Sequence, residues 1–302
     1  MVKGLPCWPS QPDFEQLLAG DELAAAGIDW ESQWDERAAV KKTLRVGEDF
    51  DCVVLGVGLG VIPATCGEIV ARDVAWRTMT ERVKSISTQA FQLWLDRDAS
   101  ELGWTGDAVN LSGFVEPFDT WADLSHLAVV EDWSENPRSI AYFCNVLPEP
   151  QAIAEDDPHG SRFVAWASEQ VRSNCVSFLA GEARHMWPLA HSPSGEFCWH
   201  ALRSPLPEDP GAALHGTDRF RSQYWTANVR PSDRYSQALP GTTKYRISPL
   251  DRSYDNLTIA GDWTSCSINM GCVEAAVMSG LLAAHAISGF PSLKDIVGYD
   301  HP

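Results

Sequence analysis

The residues whose types and spacing could do chemistry are grouped around Asp262. Residues 257–262 read LTIAGD, an apolar stretch that predicts a short buried strand ending at Asp262. In open α/β sheets, ligands bind beyond the carboxyl ends of the strands. A carboxylate in that position can accept hydrogen bonds from hydroxyl groups. Asp262 is therefore a candidate for binding the hydroxyls of a sugar or a ribityl chain.

A helix is predicted to follow, from about Gly271 to Ser288, after the small and polar loop WTSCSINM. Asn269 is a suitable N-cap, and Gly271 lets a ligand approach the backbone closely. The start of a helix carries partial positive charge and unpaired N–H groups, so it favours a group that is or becomes negative. Together, strand, loop and helix describe a site for a polyhydroxylated cofactor with an electron-accepting ring. A plain strand–turn–helix unit with a surface aspartate accounts for the same residues equally well.

One stripe of this helix is apolar and shallow, and Gly289 and Pro291 end the helix. Small side chains alternate along it with larger ones, so we expect the stripe to pack closely against a sheet or another helix. Its members are Val273, Ala276, Val277, Gly280, Leu281, Ala284 and Ile287.

Residues 257–289 resemble the C-terminal flavin-binding motif of the flavin-dependent amine oxidase and phytoene desaturase superfamily. In that motif a strand leads to A-G-D/E and Thr, and a loop then leads to G-x-x-E/G-A-A/V-x-S-G-x-x-A-A. Here the chain reads IAGDWT and MGCVEAAVMSGLLAAHAI. Residues 223–247 and 87–95 are more weakly similar to bacterial FAD-dependent, NAD(P)-binding-type oxidoreductases of the same superfamily. The resemblance implies FAD as the cofactor and hydride removal from a C–N or C–C bond, with amine and apolar substrates both open.

The resemblance also implies a set of cofactor-binding residues. Gly261 and Asp262 match family positions beside the ribityl and diphosphate groups, and Trp263 and Thr264 match positions beside the flavin. The three remaining residues match the helix start, under the N1 and C2 carbonyl edge of the ring. The resemblance assigns no catalytic residue and no metal ligand. The cofactor-binding residues are Gly261 and Asp262, then Trp263 and Thr264, then Gly271, Cys272 and Val273.

Members of this superfamily open with a strand, G-x-G-x-x-G and a helix, which bind the ADP half of FAD. Only GVGLG, residues 56–60, comes close here, and Pro63 interrupts the helix that should follow. We therefore expect FDCVVLGVG to be a strand that re-enters the cofactor domain. The chain resembles a C-terminal half or a split subunit, for which an N-terminal-half partner chain, or a homo-oligomer, is expected. A non-catalytic fragment, or a structural or ligand-binding subunit without its own cofactor, is the alternative.

The predicted fold class is α/β, with mixed α+β character. Residues 1–62 and 230–302 are expected to form a partial FAD-binding, Rossmann-like domain, and residues 63–229 a mixed-sheet substrate domain. In the first, residues 50–62 are apolar on both faces, which predicts a buried parallel strand. In the second, residues 139–148 predict a strand and residues 161–180 an amphipathic helix. TKYRI, residues 243–247, predicts a short strand.

Composition excludes several function classes. The net charge of −18 over 302 residues disfavours binding to nucleic acids or anionic membranes. No signal peptide is visible in the first residues, and no apolar run reaches about 18 residues, so we expect a cytoplasmic protein without a transmembrane segment. The eight cysteines form no C-x-x-C pair, which predicts reduced, mostly buried thiols. The thirteen tryptophans either fill the core or line a pocket for an apolar ligand.

Overall fold

The computed structural model divides the chain into two compact units, each built from two separate stretches. The first unit comprises Met1–Ala26 and Thr88–Ala227, and the second comprises Gly27–Ser87 and Asn228–Pro302. The assignment of cofactor and substrate roles to two domains stays a prediction. The structure describes residues 4, 11–28, 30, 32, 34–35, 37, 42–148, 157, 160–203 and 214–299.

Helices and strands are mixed along the described residues and form several sheets, which confirms the predicted α/β fold class. The strands are β1 (Val53–Leu55), β2 (Ser85–Ile86), β3 (Thr88–Leu95), β4 (Asn110–Leu111), β5 (Thr120–Asp123), β6 (Ser139–Val146), β7 (Tyr224–Asn228), β8 (Tyr235–Ser236) and β9 (Leu257–Ile259). The α-helices are α1 (Gly20–Ala25), α2 (Ile62–Thr65), α3 (Gly67–Arg72), α4 (Val74–Arg82), α5 (Ser161–Ala180) and α6 (Val273–Ser288).

The first unit is organised around a five-stranded sheet with the order β4-β5-β6-β3-β7. The pairs β4–β5, β5–β6 and β6–β3 are antiparallel. Phe91 of β3 is fully buried and stacks on Phe143 of β6, with ring centroids 4.7 Å apart. Phe178 of α5 contacts both rings edge-on, so the helix covers the aromatic face of the sheet. The predicted helix 161–180 and the predicted strand beginning at residue 139 are both confirmed.

The second unit contains the parallel pair β1–β9, in the register Val53↔Leu257 to Leu55↔Ile259. After β1 the chain turns through short helices, and Asp73 caps α4 by accepting the N–H groups of Ala75 and Trp76. The β1–β9 pair and these short helices enclose one hydrophobic core. Its buried members are Leu55, Leu59, Ile62, Trp76, Met79, Val83, Ile259 and Trp263.

Three predictions about local structure were wrong. β1 is parallel as expected, but it is not buried on both faces, because Val53 and Val54 are 38% and 50% exposed. TKYRI is not a strand, since residues Thr243–Tyr245 form a 3₁₀ turn. The thiols are free in the seven described cysteines, but only Cys175 and Cys266 are buried and Cys52 is exposed. Cys7 lies outside the described residues.

Candidate functional site

The candidate site begins where β9 ends, at the loop Gly261–Thr264. Gly261 has φ +148°, a conformation that favours glycine. A Cβ added there would lie 2.8 Å from Cδ1 of Trp263, so the position also lacks space for a side chain. The Gly261 N–H donates to Oγ of Ser279 at 2.7 Å, and this hydroxyl donates to the Ala276 carbonyl at 2.7 Å. A fully buried serine of α6 therefore ties the helix to the loop.

The next two predicted site residues hold the loop in a tight turn. The Thr264 hydroxyl and N–H both donate to the Gly261 carbonyl, at 2.8 and 3.1 Å. The Trp263 indole N–H donates to the Val57 carbonyl at 2.9 Å. Thr264 is fully buried and Trp263 is 1% exposed, so both side chains contribute to the core of the unit. Their predicted place beside a flavin stays a prediction.

Asp262 is the loop residue whose carboxylate has spare hydrogen-bonding capacity. Its side chain is half-buried, and one oxygen accepts the Ser236 hydroxyl at 2.9 Å. Ser236 is positioned by β8, which pairs antiparallel with β2. The second carboxylate oxygen has no hydrogen-bond partner among the described residues. Because a carboxylate accepts several hydrogen bonds, Asp262 can bind an additional hydroxyl.

The start of α6 is built differently from the sequence prediction. The helix begins at Val273, and its N-cap is Cys272, whose Sγ accepts the Ala275 N–H at 3.4 Å. Asn269 is not the cap, because it has φ +54° and its side chain accepts the Cys266 N–H at 3.1 Å. An N-cap residue is normally extended, so the left-handed Asn269 closes the preceding loop instead.

Tyr235 covers one side of the helix start. Its hydroxyl donates to the Gly271 carbonyl, and a Cβ added to Gly271 would lie 2.6 Å from the Ser236 carbonyl oxygen and 2.9 Å from Cδ1 of Tyr235. Gly271 is therefore needed for the close approach of β8. Val273 lies on the open side and is 76% exposed.

These positions can be tested against FAD. The free oxygen of Asp262 suits a ribityl hydroxyl, and the exposed helix start at Val273 suits a group that becomes negative. The polar and electrostatic parts of the site therefore fit. A ring lying directly against Gly271 requires Tyr235 to move.

The outer face of α6 corrects the predicted packing stripe. The stripe from Val273 to Ile287 is exposed, with Val277 57% and Leu281 38% exposed. The helix packs through its opposite face, which is also apolar. Because both faces are apolar, periodicity could not identify the buried one. The buried residues are Ala275, Met278, Ser279, Leu282, Ala283 and Ala286.

In the GVGLG segment, Gly56 has open space beside it, but Gly58 and Gly60 are covered by neighbouring backbone. A Cβ on Gly58 would lie 3.1 Å from the Ser232 carbonyl oxygen, and one on Gly60 would lie 3.0 Å from the carbonyl carbon of Pro231. A 3₁₀ turn, Leu59–Val61, begins within the segment, and α2 follows it. The backbone of residues 231–232 thus accounts for these two glycines.

Comparison with known proteins identifies the family. Residues 28–288 match the profile of the flavin containing amine oxidoreductase family. The chain belongs to this family. The family resemblance seen in the sequence is thereby confirmed, and the flavin-containing character of the family agrees with the predicted cofactor, FAD. All seven predicted cofactor-binding residues of this amine oxidoreductase chain, from Gly261 to Val273, lie inside the matched range.

A solved structure of an oxidoreductase from Methanosarcina mazei is similar to this amine oxidoreductase family member. The two share 10% identity with a TM-score of 0.45, over 78% of this chain and 43% of the other. This chain thus matches less than half of that protein's length. A comparison with curated proteins finds no match.

Sequence reasoning missed Arg246, which lies beneath the loop. Its Nη1 donates to the Asp262 carbonyl at 2.6 Å. The sequence had placed this residue in a strand and had given it no role. The neighbouring Lys244 places its Nζ 5.1 Å from the ring centroid of Tyr245. Only the proximity of Arg246 to the AGD motif, 16 positions away, could have drawn attention to it.

Proposed function

We propose that this chain forms the flavin-side part of an FAD-dependent oxidoreductase that oxidises an amine or an apolar substrate. The observation that carries the proposal is the family match over residues 28–288. It is supported by the loop Gly261–Thr264, which is joined to α6 through Ser279. When bound, FAD would accept a hydride from the substrate, and the protein would orient and tune the cofactor.

The roles proposed for the residues follow from their polar groups. Asp262 would bind a ribityl hydroxyl through the carboxylate oxygen that Ser236 leaves free. Cys272 and Val273 would present the first N–H groups of α6 to the edge of the ring where negative charge develops. Gly261 would keep the backbone turned so that Asp262 lies at the end of β9.

The proposal includes a second segment, from a partner chain or another copy, that supplies the diphosphate-binding loop. Support comes from surfaces that a parallel sheet normally has covered. Val54 of β1 and Val277 of α6 are 50% and 57% exposed. Exposed apolar side chains on two elements that both adjoin β9 are consistent with a contact region. Among the described residues, no helix is long and apolar enough to cross a lipid bilayer.

The first experiment asks whether flavin is present. The chain would be purified alone and together with the candidate partner, and its absorbance recorded between about 370 and 450 nm, where bound flavin absorbs. Yellow protein in either preparation supports the proposal. Colourless protein in both, after incubation with FAD, refutes it.

The second experiment tests the site with Asp262→Ala. Loss of a charged hydrogen-bond acceptor should weaken FAD binding about tenfold or more, or about 1.4 kcal/mol. Asp255→Ala is the matched control, since Asp255 is an exposed carboxylate of the same unit. Titration with FAD, followed by flavin fluorescence, measures both affinities. Equal affinity of the two variants would remove Asp262 from the site.

A second candidate function is a subunit that binds no flavin of its own. The position of Tyr235 over Gly271 favours it, because the ring lies against the helix start that a flavin would need. This candidate predicts colourless protein in both preparations, so the first experiment separates the two.

A further inference from the structure

Arg246 is a buried cation that joins three backbone segments of the second unit. It is 6% exposed. Its Nη1 donates to the carbonyls of Asp262 and Thr264, at 2.6 and 3.5 Å, and its Nη2 donates to the Gln237 carbonyl at 3.2 Å. The side chain therefore fixes the direction of two carbonyls of the Gly261–Thr264 loop and links that loop to the segment after β8.

The charge of this guanidinium is not neutralised by a bonded carboxylate. No acidic side chain among the described residues lies within 4.0 Å of Arg246, and its buried Nε has no hydrogen-bond partner there. Burial lowers the pKa of Arg246 from its ordinary value, while the more distant Asp262 and Cys266 raise it. An arginine nevertheless remains protonated in proteins. A full positive charge therefore lies directly beneath the loop.

Burying this charge lowers the stability of the folded protein when no ligand is bound. A buried charge without an ion pair destabilises the folded state, and carbonyl dipoles compensate only part of this cost. The Asp262 carboxylate lies beyond ion-pair distance and offsets the charge only in part, so the guanidinium has its clearest use when a further negative group is bound on the other side of the loop.

We propose that Arg246 is the positioning residue of the Gly261–Thr264 loop and that its charge makes this loop bind reduced, negatively charged flavin more tightly than oxidised flavin. This inference rests on the proposed function. It concerns a residue that acts through the loop. It adds to the effect of the α6 start, because the adjacent β8 residues Tyr235 and Ser236 bond to Gly271 and to Asp262, respectively.

Two variants separate position from charge. Arg246→Gln loses the charge and ends in an amide two bonds short of the terminal guanidinium nitrogens, whereas Arg246→Lys keeps the charge but loses the fork of donors. Arg252→Gln is the matched control, because Arg252 also donates to a carbonyl of this unit, that of Ala286. Circular dichroism establishes that each full-length variant is folded, with its partner where one is required.

The measurements are the dissociation constants of oxidised and reduced FAD and the midpoint potential of the bound flavin. In Arg246→Gln, the preference for the reduced form should fall about tenfold, which lowers the midpoint potential by about 30 mV for a two-electron couple. In Arg246→Lys, the preference should stay within about twofold, while both forms bind about tenfold more weakly. Arg252→Gln should leave all three quantities within about twofold of the wild type.

The outcomes are distinguishable. If wild-type protein binds no FAD, the proposed function fails and this inference fails with it. If wild type binds FAD and Arg246→Gln keeps the same potential, only the electrostatic inference is overturned. If Arg246→Gln does not fold, the lysine variant decides: unchanged affinity for both forms overturns the positioning role, and tenfold weaker binding supports it. A midpoint potential that falls by about 30 mV although lysine keeps the charge overturns the electrostatic inference.

Discussion

Replacing Ser279 with alanine should loosen the connection between α6 and the candidate site. The hydroxyl is fully buried, accepts the Gly261 N–H at 2.7 Å and donates to the Ala276 carbonyl at 2.7 Å. Leaving a buried donor unpaired costs about 1–3 kcal/mol. Gly261 is half-buried, so water can reach part of its backbone and the lower half of this range applies. Alanine recovers about 0.5 kcal/mol through its helix propensity, which leaves a loss of about 1 kcal/mol.

Ser288→Ala is the matched control within the same helix. The Ser288 hydroxyl also donates to a backbone carbonyl, that of Ala284 at 2.9 Å, but the residue is exposed. Water can replace this bond, so the free energy of unfolding should change by no more than about 0.5 kcal/mol. Both substitutions convert serine to alanine in α6. Their difference therefore isolates the buried hydrogen bond to Gly261.

Two measurements report this difference. Urea unfolding of the full chain gives the change in the free energy of unfolding, and hydrogen exchange gives the protection of the Gly261 amide. Each 1.4 kcal/mol corresponds to about tenfold in protection, so Ser279→Ala should lower it about fivefold or more. If the Gly261 amide exchanges equally slowly in both variants, Ser279 does not hold the loop, and the reasoning is refuted.

Three further predictions concern a loop glycine, a helix glycine and a buried thiol. Gly261→Ala should lower the free energy of unfolding by about 2 kcal/mol or more, because φ is +148° and the methyl collides with Trp263. Gly280→Ala, whose methyl meets nothing within 4 Å, should raise it by about 0.5–1 kcal/mol, and equal urea midpoints would contradict both. Burial raises the pKa of the Cys175 thiol above its ordinary value of 9.0, so the unfolded chain loses this proton first and stability should fall as the pH rises above that value. This pH-dependent loss of stability should be smaller in Cys175→Ala than in Cys52→Ala, which removes an exposed thiol and serves as the control. Urea unfolding at several pH values measures it, and an equal loss of stability in the two variants would refute the prediction.

The strongest sequence patterns predicted the elements around the site. The helix 161–180 was placed correctly because its buried positions Ala167, Val171 and Cys175 recur at helical spacing. LTIAGD was placed as a strand, and Gly289, with φ +74°, ends α6 as its residue type suggests. Most of the framework of the candidate site therefore followed from local patterns.

The contacts that complete the site are not local, and the sequence could not supply them. Arg246 meets the Asp262 carbonyl only because the chain returns after β9, and no periodicity marks that encounter. Likewise, Tyr235 reaches Gly271 across 36 positions of sequence. The N-cap was assigned to Asn269 on residue type alone, but its left-handed φ excludes that role and leaves it to Cys272.

The apolar outer face of α6 has a consequence for how the protein behaves in solution. The net charge of −18 makes two copies repel one another at low ionic strength. Salt at about 1 M shortens the range of this repulsion to about 3 Å and leaves the attraction between exposed valine and leucine side chains intact. Self-association through Val273, Val277 and Leu281 should therefore increase with salt, unlike association held by ion pairs.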